Sequence, residues 1–134
     1  MRNVLADTGP IVALFRRRDH HHPRVVRFLR ENPCLLLTTC HVVAEAWHLV
    51  AAPARLAMMR WIEAGGAVVH EADAAAGSSI VALLHKYRDR PMDIADASLV
   101  ALAERTGIDE ILTIDRADFD VYRTPAGRRF VQLL

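Results

Sequence analysis

Short apolar runs recur along this chain, separated by stretches with helical spacing, and this alternation limits the fold more than any other feature. The runs are Asn3 to Ala6, Leu35-Leu36-Leu37-Thr38, Ala67-Val68-Val69-His70 and Glu110-Ile111-Leu112-Thr113-Ile114. They are short for helices and too uniformly apolar for strands with one wet face. Strands buried on both faces belong to parallel sheets whose crossovers are helices. Between the runs, Pro10 suits the first turn of a helix through Phe15, and Pro23 opens a second. His41 to Ala51 reads as a helix closed before Pro53, and Ala54 to Ala64 as another closed by Gly65-Gly66. Ala74 to Tyr87 and Asp93 to Thr106 are longer helices, separated by the turn Arg88-Asp89-Arg90-Pro91. Phe130 to Leu134 supplies a last strand. The expected architecture is a three-layer α/β/α sandwich with a central parallel sheet, in one domain over residues 1–134.

The composition excludes several classes. No stretch approaches the roughly 20 apolar residues of a membrane helix. The N-terminus reaches Asp7 too early for a signal peptide, so a cytoplasmic location without membrane partners is expected. Cys34 and Cys40 form no CxxC pair, and reduced buried thiols are the plain reading. His20-His21-His22 lies between Asp19 and Pro23, where three adjacent side chains cannot face one ion. The net charge of +1 is not that of a uniformly basic protein, but its distribution is uneven. One lysine, Lys86, stands among arginines, which cluster at Arg16-Arg17-Arg18, Arg24, Arg27 and Arg30 and again near the C-terminus. Arginine grips phosphate bidentately, so such groups could steer a polyanion; on composition alone, general solubilisation is the simpler reading.

Four acids stand in apolar contexts: Asp7 after Val4-Leu5-Ala6, Glu45 within Val42-Val43-Ala44-Glu45-Ala46-Trp47, Asp96 within Ile94-Ala95-Asp96-Ala97-Ser98-Leu99, and Asp115 after Ile111-Leu112-Thr113-Ile114. In parallel sheets the functional crevice lies beyond the carboxyl ends of the strands. Asp7 and Asp115 follow two such ends. A carboxylate in apolar surroundings is costly unless it is paired or binds a metal, and a divalent cation relieves the repulsion between converging acids. Oxygen donors favour Mg²⁺ or Mn²⁺. Each acid also has a structural explanation. Asp7 could cap the helix that follows, Asp115 could hold a turn with Arg116, and Asp93, three residues before Asp96, is either a helix cap or an accessory ligand. Trp47 and Trp61 fit helix packing faces better than base-stacking platforms.

The ordered set Val4-Leu5-Ala6-Asp7-Thr8-Gly9-Pro10, then Glu45 after Thr38-Thr39, then Asp96-Ala97-Ser98-Leu99-Val100-Ala101-Leu102-Ala103, then Leu112-Thr113-Ile114-Asp115, resembles a PIN domain. Among PIN domains it is most similar to the short VapC-like toxins of type II toxin–antitoxin pairs, over nearly the whole chain. The resemblance implies a Mg²⁺- or Mn²⁺-dependent endoribonuclease that leaves a 3′-hydroxyl and a 5′-phosphate. It places the catalytic acids at Asp7, Glu45, Asp96 and Asp115. Asp7, Asp96 and Asp115 would bind metal directly, while Glu45 would ligate through water or orient the attacking water. Asp93 and Asp118 are possible accessory ligands, Asp118-Phe119 reading equally as turn chemistry. Thr113 matches the hydroxyl that often accompanies the fourth acid. Arg16 and Arg116 are the candidates for holding the RNA backbone. The implied partners are an RNA substrate, a cognate antitoxin and a second copy of the chain.

Two other readings remain at this point. A HAD-like phosphohydrolase would want a second aspartate two residues after the first, where this chain has Gly9. A PIN-like module kept only for protein binding would tolerate loss of the acids, yet all four are present.

Overall fold

A computed structural model describes residues 1–134. Five parallel strands form one sheet: β1 (Arg2–Ala6), β2 (Cys34–Thr39), β3 (Val68–His70), β4 (Glu110–Leu112) and β5 (Val131–Gln132). The helices are α1 (Thr8–Leu14), α2 (His22–Glu31), α3 (Cys40–Leu49), α4 (Ala52–Glu63), α5 (Ala74–Lys86), α6 (Ile94–Thr106) and α7 (Arg116–Val121). The expected alternation is therefore present, and its sheet is wholly parallel.

Strand order is β3-β2-β1-β4-β5. The chain builds outward from β1 in one direction, then returns to build in the other. The reversal falls between β1 and β4, where crossovers leave toward opposite sides and a crevice opens at the strand ends. Val4, Leu5 and Ala6 are fully buried at the centre of the sheet, as are Ile111 and Leu112 beside them. Leu5 pairs with Ile111 and Ala6 with Leu112, so Asp7 and Thr113 emerge next to one another.

The helix α6 explains how an acid comes to be buried nearby. Nine consecutive residues, Ala95 to Ser98 and Leu99 to Ala103, are buried in it. Its alanines let it lie deep between neighbouring elements, as an all-round apolar helix must. The Asp93 carboxylate accepts from the Asp96 N–H at 2.8 Å to cap its start, and Gly107 ends it in the left-handed conformation (φ 73°).

Some expectations shift. The helix expected to begin near Pro10 starts at Thr8, capped by Asp7. Pro53 lies in the first turn of α4, whose start is earlier than Ala54. The strand expected to reach Ile114 stops at Leu112, because Thr113 turns its hydroxyl into the crevice. The segment around Asp118-Phe119 is a helix, α7, rather than a turn. Trp61 packs edge-on against Phe15 at 5.5 Å. Trp47, in contrast, is 39% exposed beneath Arg55, so it is not a core residue. The two thiols are free and half-buried. No helix is long and apolar enough to cross a membrane.

Candidate active site

Asp7 anchors the crevice. Its Oδ1 accepts from the Thr8 N–H at 2.8 Å, and its Oδ2 accepts from the Thr113 hydroxyl at 2.8 Å. The Asp7 N–H donates to the Leu112 carbonyl at 3.0 Å. Asp7 thus caps α1 and faces the neighbouring strand at once. The Thr113 hydroxyl also accepts from the Asp115 N–H at 3.0 Å, so one side chain bridges the first and fourth acids. Thr38 secures the other flank by donating to the Ala6 carbonyl at 2.8 Å.

Asp96 projects from the first turn of α6 and is buried. Its Oδ2 accepts from the Tyr122 hydroxyl at 3.1 Å. Two residues on, the Ser98 hydroxyl lies 2.7 Å from that of Thr39, the cap of α3, which ties the helix of Asp96 to the helix of Glu45. Glu45 is half-buried, and Asp115 and Asp93 are exposed. The expectation that all four acids are embedded in apolar surroundings therefore holds for Asp7 and Asp96 alone.

The electrostatics show which acids feel one another. Burial raises the Asp7 carboxyl to about 6, with the charges of Glu45 and Asp93 adding to it and the hydrogen bonds from Thr113 and Thr8 opposing. Burial raises Asp96 further, to about 8, helped by the charges of Asp7, Asp93 and Asp118. Glu45 is shifted upward by burial and by Asp93. Asp115 is shifted upward by burial and by its neighbour Asp118. Asp118 itself is held low, by its contact with Asp115 and by Arg90, whose Nη2 and Nε lie 2.6 and 3.1 Å from its Oδ1. Six acids from four separate segments therefore share one electrostatic neighbourhood, with Asp115 joined to it through Asp118.

No three of these side chains stand in a ready-made metal cage. The donor set nonetheless suits a hard divalent cation. Asp7 and Asp96 are buried without an ion-pair partner. Their hydrogen bonds leave lone pairs free and fix the carboxylates as outer-shell donors fix metal ligands. Thr8 Oγ1 is buried and has no hydrogen-bond partner. Asp115 begins α7 without capping it, so its carboxylate is uncommitted to the helix.

Arg16 bonds the Leu49 carbonyl and pairs with Asp19 at 3.6 Å, while Arg116 bonds the Leu134 carbonyl. Neither reaches an acid of the crevice. Two residues at the crevice were not foreseen. Arg90 comes from the turn after α5, and Tyr122 from the end of α7. Their partners lie 28 and 26 positions away, and nothing local in the sequence marks them.

Residues 4–124 match the PIN domain. Ribonuclease VapC26 of Mycobacterium tuberculosis is 32% identical over 131 residues, covering 95% of this chain and 97% of the relative. Among solved structures, the fold is similar to M. tuberculosis VapC20, described as a sarcin-ricin loop cleaving toxin (TM-score 0.77, 22% identity, 84% of this chain and 89% of that one). It is also similar, at TM-score 0.55 and 21% identity, to FitAcB from Neisseria gonorrhoeae, over 87% of this chain and 90% of that one. Matching across nearly its full length, in sequence and in fold, the chain belongs to the PIN-domain family, among its VapC-like members.

Proposed function

We propose that this chain is an endoribonuclease that hydrolyses RNA phosphodiesters with Mg²⁺ or Mn²⁺, acting as the toxin of a toxin–antitoxin pair. The observation that carries the reading is the pair Asp7 and Asp96, two buried carboxylates with hydrogen-bond donors but no basic partner. Buried acids of this kind call for a cation. Asp7, Asp96 and Asp115 would hold it, with Glu45 orienting the attacking water and Asp93 and Asp118 at its margin. A bound divalent ion lowers the pKa of water and neutralises charge on the phosphate in flight. The chain supplies the rest. Thr113 fixes Asp7 and the backbone of Asp115 together, Tyr122 fixes Asp96, and Arg90 places a positive charge beside the acids. No side-chain nucleophile is required.

The similarity to Ribonuclease VapC26 supports RNA as substrate. The likeness to VapC20, described as a toxin, and to FitAcB supports the fold on which this reading stands. A cytoplasmic homodimer silenced by a small antitoxin is the assembly this reading implies. Incubation of the purified chain with RNA tests it. Cleavage requiring Mg²⁺ or Mn²⁺, leaving 5′-phosphates and lost in Asp7→Asn, is the expected result. Cleavage that persists in chelator or in the variant contradicts the mechanism, and no cleavage by the wild type favours a binding module.

A further inference from the structure

Residues 16–30 hold six arginines and one acid, Asp19, in a chain whose net charge is only +1. Arg16 spends its charge on Asp19 and the Leu49 carbonyl. The other five, Arg17, Arg18, Arg24, Arg27 and Arg30, are exposed and make no ion pair or side-chain hydrogen bond. Elsewhere most arginines are tied down, Arg2 and Arg90 to carboxylates and Arg55, Arg88, Arg116, Arg123 and Arg128 to backbone carbonyls, while the free ones, Arg60, Arg105 and Arg129, lie on separate segments.

Arg30, in the last turn of α2, suits the helix dipole, but the rest of this placement works against the helix. Arg24, Arg27 and Arg30 repeat at three-residue spacing, which sets like charges side by side. Arg24 also sits in the first turn, which holds no acid, where the helix dipole disfavours a cation. A purely solubilising surface would intersperse acids. The face is wet and contains no exposed large hydrophobic residue. Arg27 and Arg30, with His22, Pro23, Val26 and Glu31, line an open groove of about 410 Å³.

The run is tied to α3, which carries Glu45, and to α1, which Asp7 caps. Arg16 pins the start of the run to the end of α3 at Leu49, four residues and ~6 Å along the helix from Glu45. The His22 ring bonds the Ala13 carbonyl at 2.6 Å, which ties the head of α2 to the last turn of α1, six residues and ~9 Å along the helix from Asp7. We infer that Arg17, Arg18, Arg24, Arg27 and Arg30 form a docking face for the phosphodiester backbone of RNA, outside the crevice and joined to it through α1 and α3. Guanidinium groups suit phosphate, and phosphate contacts need no apolar anchor. A protein partner would need such an anchor, and this face offers none.

The inference rests on the endoribonuclease reading, and its test is separable from that reading. Binding of a mixed-sequence single-stranded RNA is measured by anisotropy in EDTA, on an Asp7→Asn background, across a salt series. Neutralising three phosphate contacts in Arg24→Gln/Arg27→Gln/Arg30→Gln should reduce the log–log salt slope by ~2. The same three positions changed to Lys should keep most of the slope. A control triple, Arg60→Gln/Arg105→Gln/Arg129→Gln, removes equal charge from exposed arginines elsewhere and should leave it unchanged. An unchanged slope in the first triple, or an equal loss in the control, overturns the docking face even if the wild type cleaves RNA. So does salt-steep binding of poly-glutamate with none of RNA, which points to an acidic protein instead. Absence of metal-dependent cleavage by the wild type strikes the nuclease reading alone.

Discussion

The Thr113 hydroxyl donates to Oδ2 of Asp7 at 2.8 Å, across 106 positions of sequence and across the point where strand order reverses. The same oxygen accepts from the Asp115 N–H. Thr113→Val keeps the shape and removes both interactions, leaving a buried carboxylate oxygen unsatisfied. The expected cost is about 1–3 kcal/mol in chemical unfolding at neutral pH. Thr113→Ser should recover most of it, and a Val variant as stable as wild type contradicts the bridging role.

Asp96 gives a pH prediction with a definite sign. Its folded pKa of about 8 lies above the unfolded value of 3.8. The folded state therefore holds a proton that the unfolded state has released between those values, and metal-free stability falls as pH rises through that window. Asp7, raised to about 6, adds a slope of the same sign at lower pH. Asp96→Asn removes the larger contribution. In chelator at pH 8.5 it should be more stable than wild type by on the order of 1–2 kcal/mol, with the gap closing toward pH 4. Thermal melts across pH check this, and a variant that is destabilised at pH 8.5 refutes it.

Tyr122 and Arg90 position the acids from outside the foreseen set. Tyr122→Phe deletes the donor to Asp96, so the ionised form of Asp96 loses support. The pH at which metal-dependent cleavage reaches half its maximum should rise by about one unit. Arg90→Gln frees Asp118 beside Asp115 and makes the crevice more negative. Mn²⁺ binding should tighten while RNA cleavage falls, and parallel loss of both would make Arg90 a structural residue only.

Gly9 lets the turn after Asp7 lie against the segment after β4. A Cβ there would meet Ile114 Cγ1 at 2.5 Å and Cδ1 at 2.7 Å. Ile114 stands between Thr113 and Asp115, so its displacement disturbs both. Gly9→Ala should cost ~1–3 kcal/mol by overpacking. Combination with Ile114→Ala should cost less than the sum of the single changes, as residues in contact do. Strict additivity in a double-mutant cycle argues against the contact.

The central strands and α6 were legible in the sequence because their apolar runs are uninterrupted and their ends carry Gly, Pro or a capping acid. Asp7 was legible for the same reason, as a polar residue ending such a run. The exposure of Asp115 was not, because the run Ile111 to Ile114 does not reveal that pairing stops at Leu112. The six-residue α7 is too short to show a helical period, and its Asp118-Phe119 was read equally as an accessory ligand or as turn chemistry. Arg16 and Arg116, expected to hold the RNA backbone, bond the Leu49 and Leu134 carbonyls, partners that no local pattern announces. Arg90 and Tyr122 arrive through tertiary structure, which leaves no local pattern to read.

Direct titration with Mn²⁺ by calorimetry, between pH 6 and pH 8.5, tests the central claim most closely. Carboxylates must shed protons to ligate, so affinity should climb as Asp7 and then Asp96 ionise. Wild type should bind, and Asp7→Asn and Asp96→Asn should each lose most of that affinity. A wild type that takes up no Mn²⁺, or that binds it equally well without either aspartate, contradicts the account.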